Sequence, residues 1–96
     1  VCRFNIVGRE ERFARIAELL GENIDGLSIR EAAEKAISRI ECLTEDLNIP
    51  TGFKELGARE EDIQTLAENA MKDVCAATNP RKATLEDVME IIRQAY

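Results

Sequence analysis

Apolar residues recur at spacings of three and four along almost the whole chain, which is the period of one face of an α-helix, and no stretch alternates in the manner of a half-buried strand. This periodicity restricts the chain to an all-α fold. Five glycines and two prolines divide it into segments long enough for a bundle of about four to five helices. Ninety-six residues supply one helical unit, with no room for a self-contained two-domain enzyme.

Phe13, Ile16, Ala17 and Leu20 predict a helix from about Arg9 to Leu20, with Gly21 placed as its left-handed cap. Ser28 followed by Glu31 is a capping box, in which the hydroxyl accepts a first-turn N–H while Glu31 reaches back to the N–H of Ser28. Behind it Ala33, Ala36, Ile37, Ile40, Leu43 and Leu47 predict the longest helix. Ile49-Pro50 ends it, because the residue before proline is pushed out of helical geometry. Thr51 to Leu56, ahead of Gly57, has room for one helical turn anchored by Phe53 and Leu56. From Glu60 the stripe resumes as Ile63, Leu66, Ala67, Ala70, Met71 and Val74, and three acids at its start complement the helix dipole. Cys75 to Ala83 reads as a loop around Asn79-Pro80. Thr84 with Asp87 then forms a second capping box before the stripe of Val88, Ile91, Ile92 and Ala95. These stripes lean on alanine, aromatic residues are only 4% of the chain, and a domain this small buries only about 60–65% of its unfolded surface. Some stripes are therefore expected to await a partner.

The net charge of −6 gives no electrostatic footprint for nucleic acid or an anionic membrane. No run approaches the roughly 18 continuous apolar residues of a membrane span. Histidine is absent, which removes the commonest metal ligand and the usual proton-transfer group near neutral pH. Cys2, Cys42 and Cys75 are an odd number at spacings that fit neither a disulfide framework nor a zinc motif, so they read as reduced thiols of a cytoplasmic protein. Glu10 with Glu11, and Glu60 with Glu61 and Asp62, sit at helix starts, where caps explain them better than acid–base catalysis does. Arg30, Lys35, Arg39, Lys54 and Lys72 are interspersed with acids and read as exposed pairs. On these grounds alone, an acidic helical interaction module without catalysis is a full rival to an enzyme.

The segment Cys75-Ala76-Ala77-Thr78-Asn79-Pro80-Arg81 joins two expected helices through small residues and a rigid turn, and Asn before Pro can close an Asx-turn on its own backbone. With its surroundings it resembles the C-terminal end of the iron-containing (group III) alcohol dehydrogenases. The likeness extends from Val1 to Tyr96. It is carried by Val1, Phe4 and Asn5; by Arg12-Phe-x-x-Ile-Ala-Glu-Leu-Leu-Gly21 and Gly26-Leu27-Ser28; by Asp46-Leu47-Asn48-Ile49-Pro50; by Glu55-Leu56-Gly57 with Glu60-Glu61-Asp62-Ile63; and by Asn79-Pro80-Arg81 with Thr84-Leu85-Glu86-Asp87. Within the family it looks most like lactaldehyde (propanediol) reductases and 1,3-propanediol dehydrogenases.

The resemblance implies the C-terminal portion, residues 1–96, of the helical metal-bearing domain of a dehydroquinate synthase-like fold, in an oxidoreductase that interconverts short-chain alcohols or diols and aldehydes. Val1, which is not a Met, then marks a piece of a longer chain, and Tyr96 stands near the family's usual C-terminus. The resemblance further implies NAD and a divalent iron (or zinc) bound upstream, a homo-oligomeric parent, and no metal ligand or catalytic residue carried over here. It sets Cys75, Thr78 and Asn79 on the wall of the substrate cleft. Small side chains there suit a short alcohol. The plainer alternative for Cys75 is a small hydrophobe packed at a helix end. With no histidine and scattered thiols, the isolated chain is expected to bind neither iron nor zinc tightly and to oxidise no alcohol. Titration calorimetry with either metal checks this, and stoichiometric micromolar binding contradicts it.

Overall fold

The computed structural model describes all of residues 1–96. It contains six α-helices: α1 (Cys2–Asn5), α2 (Glu10–Leu19), α3 (Ile29–Asp46), α4 (Ile63–Ala70), α5 (Val74–Thr78) and α6 (Leu85–Gln94), with a 3-10 turn over Glu60–Asp62 leading into α4. The all-α fold is as expected, with more helices than anticipated because α1 and α5 are too short to show a period. In place of the single unit the length suggests, the chain divides into two compact units, Val1–Ile49 and Pro50–Tyr96. Each has its own small core.

In Val1–Ile49, α2 packs along α3. The ends of α2 follow from its sequence. Glu10 and Glu11 occupy the first turn, and Gly21 adopts φ +87° so that its N–H and that of Glu22 close back on the carbonyls of Glu18 and Ala17 at 2.9 and 3.0 Å. The predicted stripe is rotated by about one position. Ala14 and Ala17 are buried, whereas Ile16 and Leu20 are exposed. Alanines at 14, 17, 32, 33 and 36 let the helices approach closely, and bulky side chains splay to the margins. Ile6, Ala33 and Ile37 form the core cluster, with Cys2 and Phe13 packed against it. Burying a side chain such as Ile6 contributes roughly 1.5–3 kcal/mol, so α1 matters despite its length.

The capping box of α3 is present as read: Glu31 N–H donates to Ser28 Oγ at 3.2 Å and Ser28 N–H to Glu31 Oε2 at 2.8 Å. At its other end Asn48 takes φ +52°, and the N–H groups of Asn48 and Ile49 return to Glu45 and Thr44, completing the helix stop ahead of Pro50.

In Pro50–Tyr96, residues 53–57 make overlapping turns rather than a helix, and Gly57 at φ +87° closes them. The N–H groups of Phe53 and Lys54 reach Ala95 O and Tyr96 O at 2.8 and 3.2 Å, tying the turn to the end of α6. Gly52 allows this approach, since a Cβ there meets Tyr96 O at 3.1 Å. Lys54 Nζ lies 5.9 Å from the Tyr96 ring centre and so makes a cation–π contact in place of the expected ion pair. Helices α4 and α6 pack through Ile63, Ala67 and Ile92, joined by Leu66, Leu85, Val88 and Met89. The face of α6 is thus Leu85, Val88, Met89 and Ile92, again turned slightly from the predicted one.

Glu31 and Asp87 close the two boxes, and backbone N–H bonds from Ser28 and Thr84 hold their carboxyls below the ordinary carboxylate range. A depressed folded pKa means that the stabilisation is complete above the unfolded pKa and is lost as pH falls through the folded one. Replacement of Ser28 or Thr84 by Ala is expected to cost about 1 kcal/mol at pH 7. The penalty should shrink on acidification. Thermal melts followed by circular dichroism at pH 7 and pH 3 measure both effects.

Candidate functional site

Asp73 decides the local structure of the segment singled out above. After Ala70 the chain tightens to three-residue closures, Lys72 N–H to Asn69 O and Asp73 N–H to Ala70 O, at 3.1 and 3.2 Å. Asp73 itself is extended (φ −70°, ψ 138°), and its Oδ1 accepts the Cys75 N–H at 2.7 Å as the N-cap of α5. The expected continuous helix through Val74 is therefore broken. Val74, read as the last member of a buried stripe, is 77% exposed.

This corrects the placement of the candidate residues. Cys75 and Thr78 belong to α5 and not to a loop, while Asn79 caps its C-terminal end with extended dihedrals. Thr78 Oγ1 donates to Cys75 O at 3.2 Å, which brings the two onto one turn. The Asn79 side-chain amide donates to Arg81 O across Pro80, and Asn79 is half-buried. That bond supplies the rigid turn predicted from Asn-Pro. Cys75 and Thr78 are exposed, so within this chain Cys75 is no core hydrophobe.

Asp73 also sets the chemistry of the thiol. Its carboxylate accepts a hydrogen bond from Cys75 and opposes a second negative charge beside it, which pushes the thiol pKa up. The Asp73 carboxyl is held low, chiefly by the Cys75 backbone N–H. A sequence signal for this cap existed: Asp followed by small residues is a helix start, but it was masked by the apolar stripe running through it.

Several of the charged groups singled out in the sequence make local structural bonds. Glu10 accepts the Gly8 N–H at 3.2 Å, and Asp62 accepts the Arg59 N–H at 2.9 Å with the Arg59 guanidinium beside it. The Arg59 side chain first, then its backbone N–H, lowers the Asp62 carboxyl. Arg30 pairs with Glu34 at 2.9 Å, as an exposed i,i+4 pair. No three of the His, Cys, Asp and Glu side chains come together as a metal site. No helix is long and apolar enough to cross a membrane.

The Pro50–Tyr96 unit thus presents a short helix capped by Asp73. The sequence model described as Fe-containing alcohol dehydrogenase family, C-terminal, matches residues 1–96. The chain belongs to that family. It is 53% identical over 95 residues to the NAD-dependent methanol dehydrogenase of Bacillus methanolicus, a match covering 99% of this chain and 25% of that protein. It is 48% identical to the 1,3-propanediol dehydrogenase of Klebsiella pneumoniae and 38% to the lactaldehyde reductase of Escherichia coli K12, each over the whole of this chain and 25% of the relative. A crystal structure of 1,3-propanediol oxidoreductase superposes with a TM-score of 0.96 at 48% identity, over 100% of this chain and 25% of that one. The chain thus spans about a quarter of the length of the relatives it matches.

Asp73→Asn keeps a capping side chain while removing the charge. Cys75 is expected to alkylate with iodoacetamide several-fold faster in this variant at pH 8, with helicity unchanged, because the thiolate is the reacting form. Peptide mass mapping of the alkylated product measures it. An unchanged rate means that the carboxylate does not govern the thiol.

Proposed function

We propose that this chain is the C-terminal portion of the helical domain of an NAD-dependent alcohol dehydrogenase that interconverts short-chain alcohols or diols with aldehydes. The match of all 96 residues to the family, with methanol, 1,3-propanediol and lactaldehyde enzymes among the relatives, carries this reading. The implied divalent iron (or zinc) has no fitting donor set in these residues, which include no histidine and no ligand cluster, so both metal and NAD are assigned to the preceding part of the full-length polypeptide. No catalytic step is assigned to this chain. The full-length enzyme is read as a cytoplasmic homo-oligomer, a reading supported by the free cysteines and exposed apolar side chains.

The part proposed for this chain is one wall of the substrate cleft, formed by Cys75, Thr78 and Asn79. Short side chains on α5 leave space for an alcohol of a few carbons, and Asp73 keeps the Cys75 thiol protonated, a neutral lining beside an aldehyde. The rival interaction module has the exposed apolar residues in its favour, but not the match to dehydrogenases along the whole chain.

In the full-length enzyme, Cys75→Leu and Cys75→Phe are expected to lower kcat/KM for larger alcohols more than for ethanol-sized ones, without changing NAD affinity. Cys75→Ala should keep most activity, because hydride transfer needs no sulfur nucleophile. Steady-state kinetics over a series of primary alcohols decides the matter: equal effects on every alcohol remove Cys75 from the cleft, and a loss of orders of magnitude in Cys75→Ala gives the thiol a chemical role.

A further inference from the structure

Helix α3 has 18 residues and α2 has 10, so α2 spans about 15 Å against about 27 Å for α3. One stripe runs the length of α3. Its first half, Ala33, Ala36 and Ile37, is buried, while Ile40, Leu43 and Leu47 are 39%, 44% and 60% exposed. On the flank of α3, Arg3 pairs with Glu34 at 3.7 Å and with Glu41 at 2.5 Å, and Glu41 is the furthest α3 residue it clasps. Beyond it, an apolar ridge at i, i+3 and i+7 continues with the spacing that receives another helix by ridges-into-grooves packing. Exposed ridges of this kind mark contact surfaces.

We propose that Ile40, Leu43 and Leu47 seat an apolar helix from the part of the full-length polypeptide that precedes Val1. This rests on the reading of the chain as the C-terminal portion of a dehydrogenase. The occupant follows from length: the matched relatives are about four times as long as this chain, and the match is to their C-terminal part. A chain whose buried apolar residues are only alanines and isoleucines gains from covering an exposed ridge that continues a buried stripe with its own remaining helices.

Hydroxyl-radical footprinting of the full-length polypeptide tests the seat. Leu43 and Leu47 are expected to lose labelling to the level of buried Ile37, and in the 96-residue chain to label as freely as Leu19. Equal labelling in the two preparations overturns the proposal, because then either nothing covers the ridge or residues 50–96 do. Protection of the full-length protein that fades on dilution also overturns it, in favour of a second copy. As an independent check, Leu47→Asp should lower the Tm of the full-length protein and leave that of the 96-residue chain unchanged; equal shifts in both place the contact within these residues and sink the idea. Alcohol-dependent reduction of NAD, measured on the same full-length preparation, reports separately on the proposed function.

Discussion

Side-chain acceptors that satisfy the first backbone N–H groups fix where three of the helices, α3, α5 and α6, begin. Ser28 with Glu31, Thr84 with Asp87 and Asp73 with Cys75 all work this way. Their importance follows from the thinness of the core. The buried apolar residues are six alanines and four isoleucines, distributed over two units, so packing alone specifies helix ends weakly. Local polar bonds supply what the core does not.

That division of labour explains how much could be read directly. Helices α2, α3 and α6 were legible to within a residue or two, from the glycine stop of α2, the capping box and proline stop of α3 and the capping box of α6, since these signals are local and chemical. The all-α class followed from periodicity, and the family from ordered motifs along the chain. The orientation of each stripe was less accessible. A reading by hydrophobicity places Ile16, Leu20 and Ile91 inward. The close approach of α2 and α3 over alanines turns the inner face toward Ala14 and Ala17, and the packing of α4 on α6 turns it toward Leu85 and Met89. Helix-face arguments from bulk favour large residues, whereas close helix packing favours small ones.

The candidate site shows the same competition in its sharpest form. An apolar run through Met71 and Val74 argues for one long helix, and a single carboxylate at Asp73 argues for a stop. The carboxylate wins because it accepts the Cys75 N–H and frees the chain to turn after Ala70, while nothing in this chain buries Val74 to reward a continuous helix. The outcome lifts Cys75 off the end of α4 and sets it, with Thr78, on a separate short helix. Residue identities at the proposed cleft wall were thus accessible from the resemblance, but their presentation depends on a cap that periodicity hides.

Two kinds of exposed surface then have distinct meanings. Around α5 the exposed side chains are small or polar apart from Val74, and their geometry is held by short-range bonds from Asp73, Thr78 and Asn79. These bonds hold the backbone around α5 without help from a buried core. Along the second half of α3 the exposed side chains are large and apolar, and their stripe grows out of a buried one without interruption. A surface of that kind marks a contact site. The same helical chain therefore carries one surface held by its own polar bonds and another whose large apolar side chains extend a buried stripe.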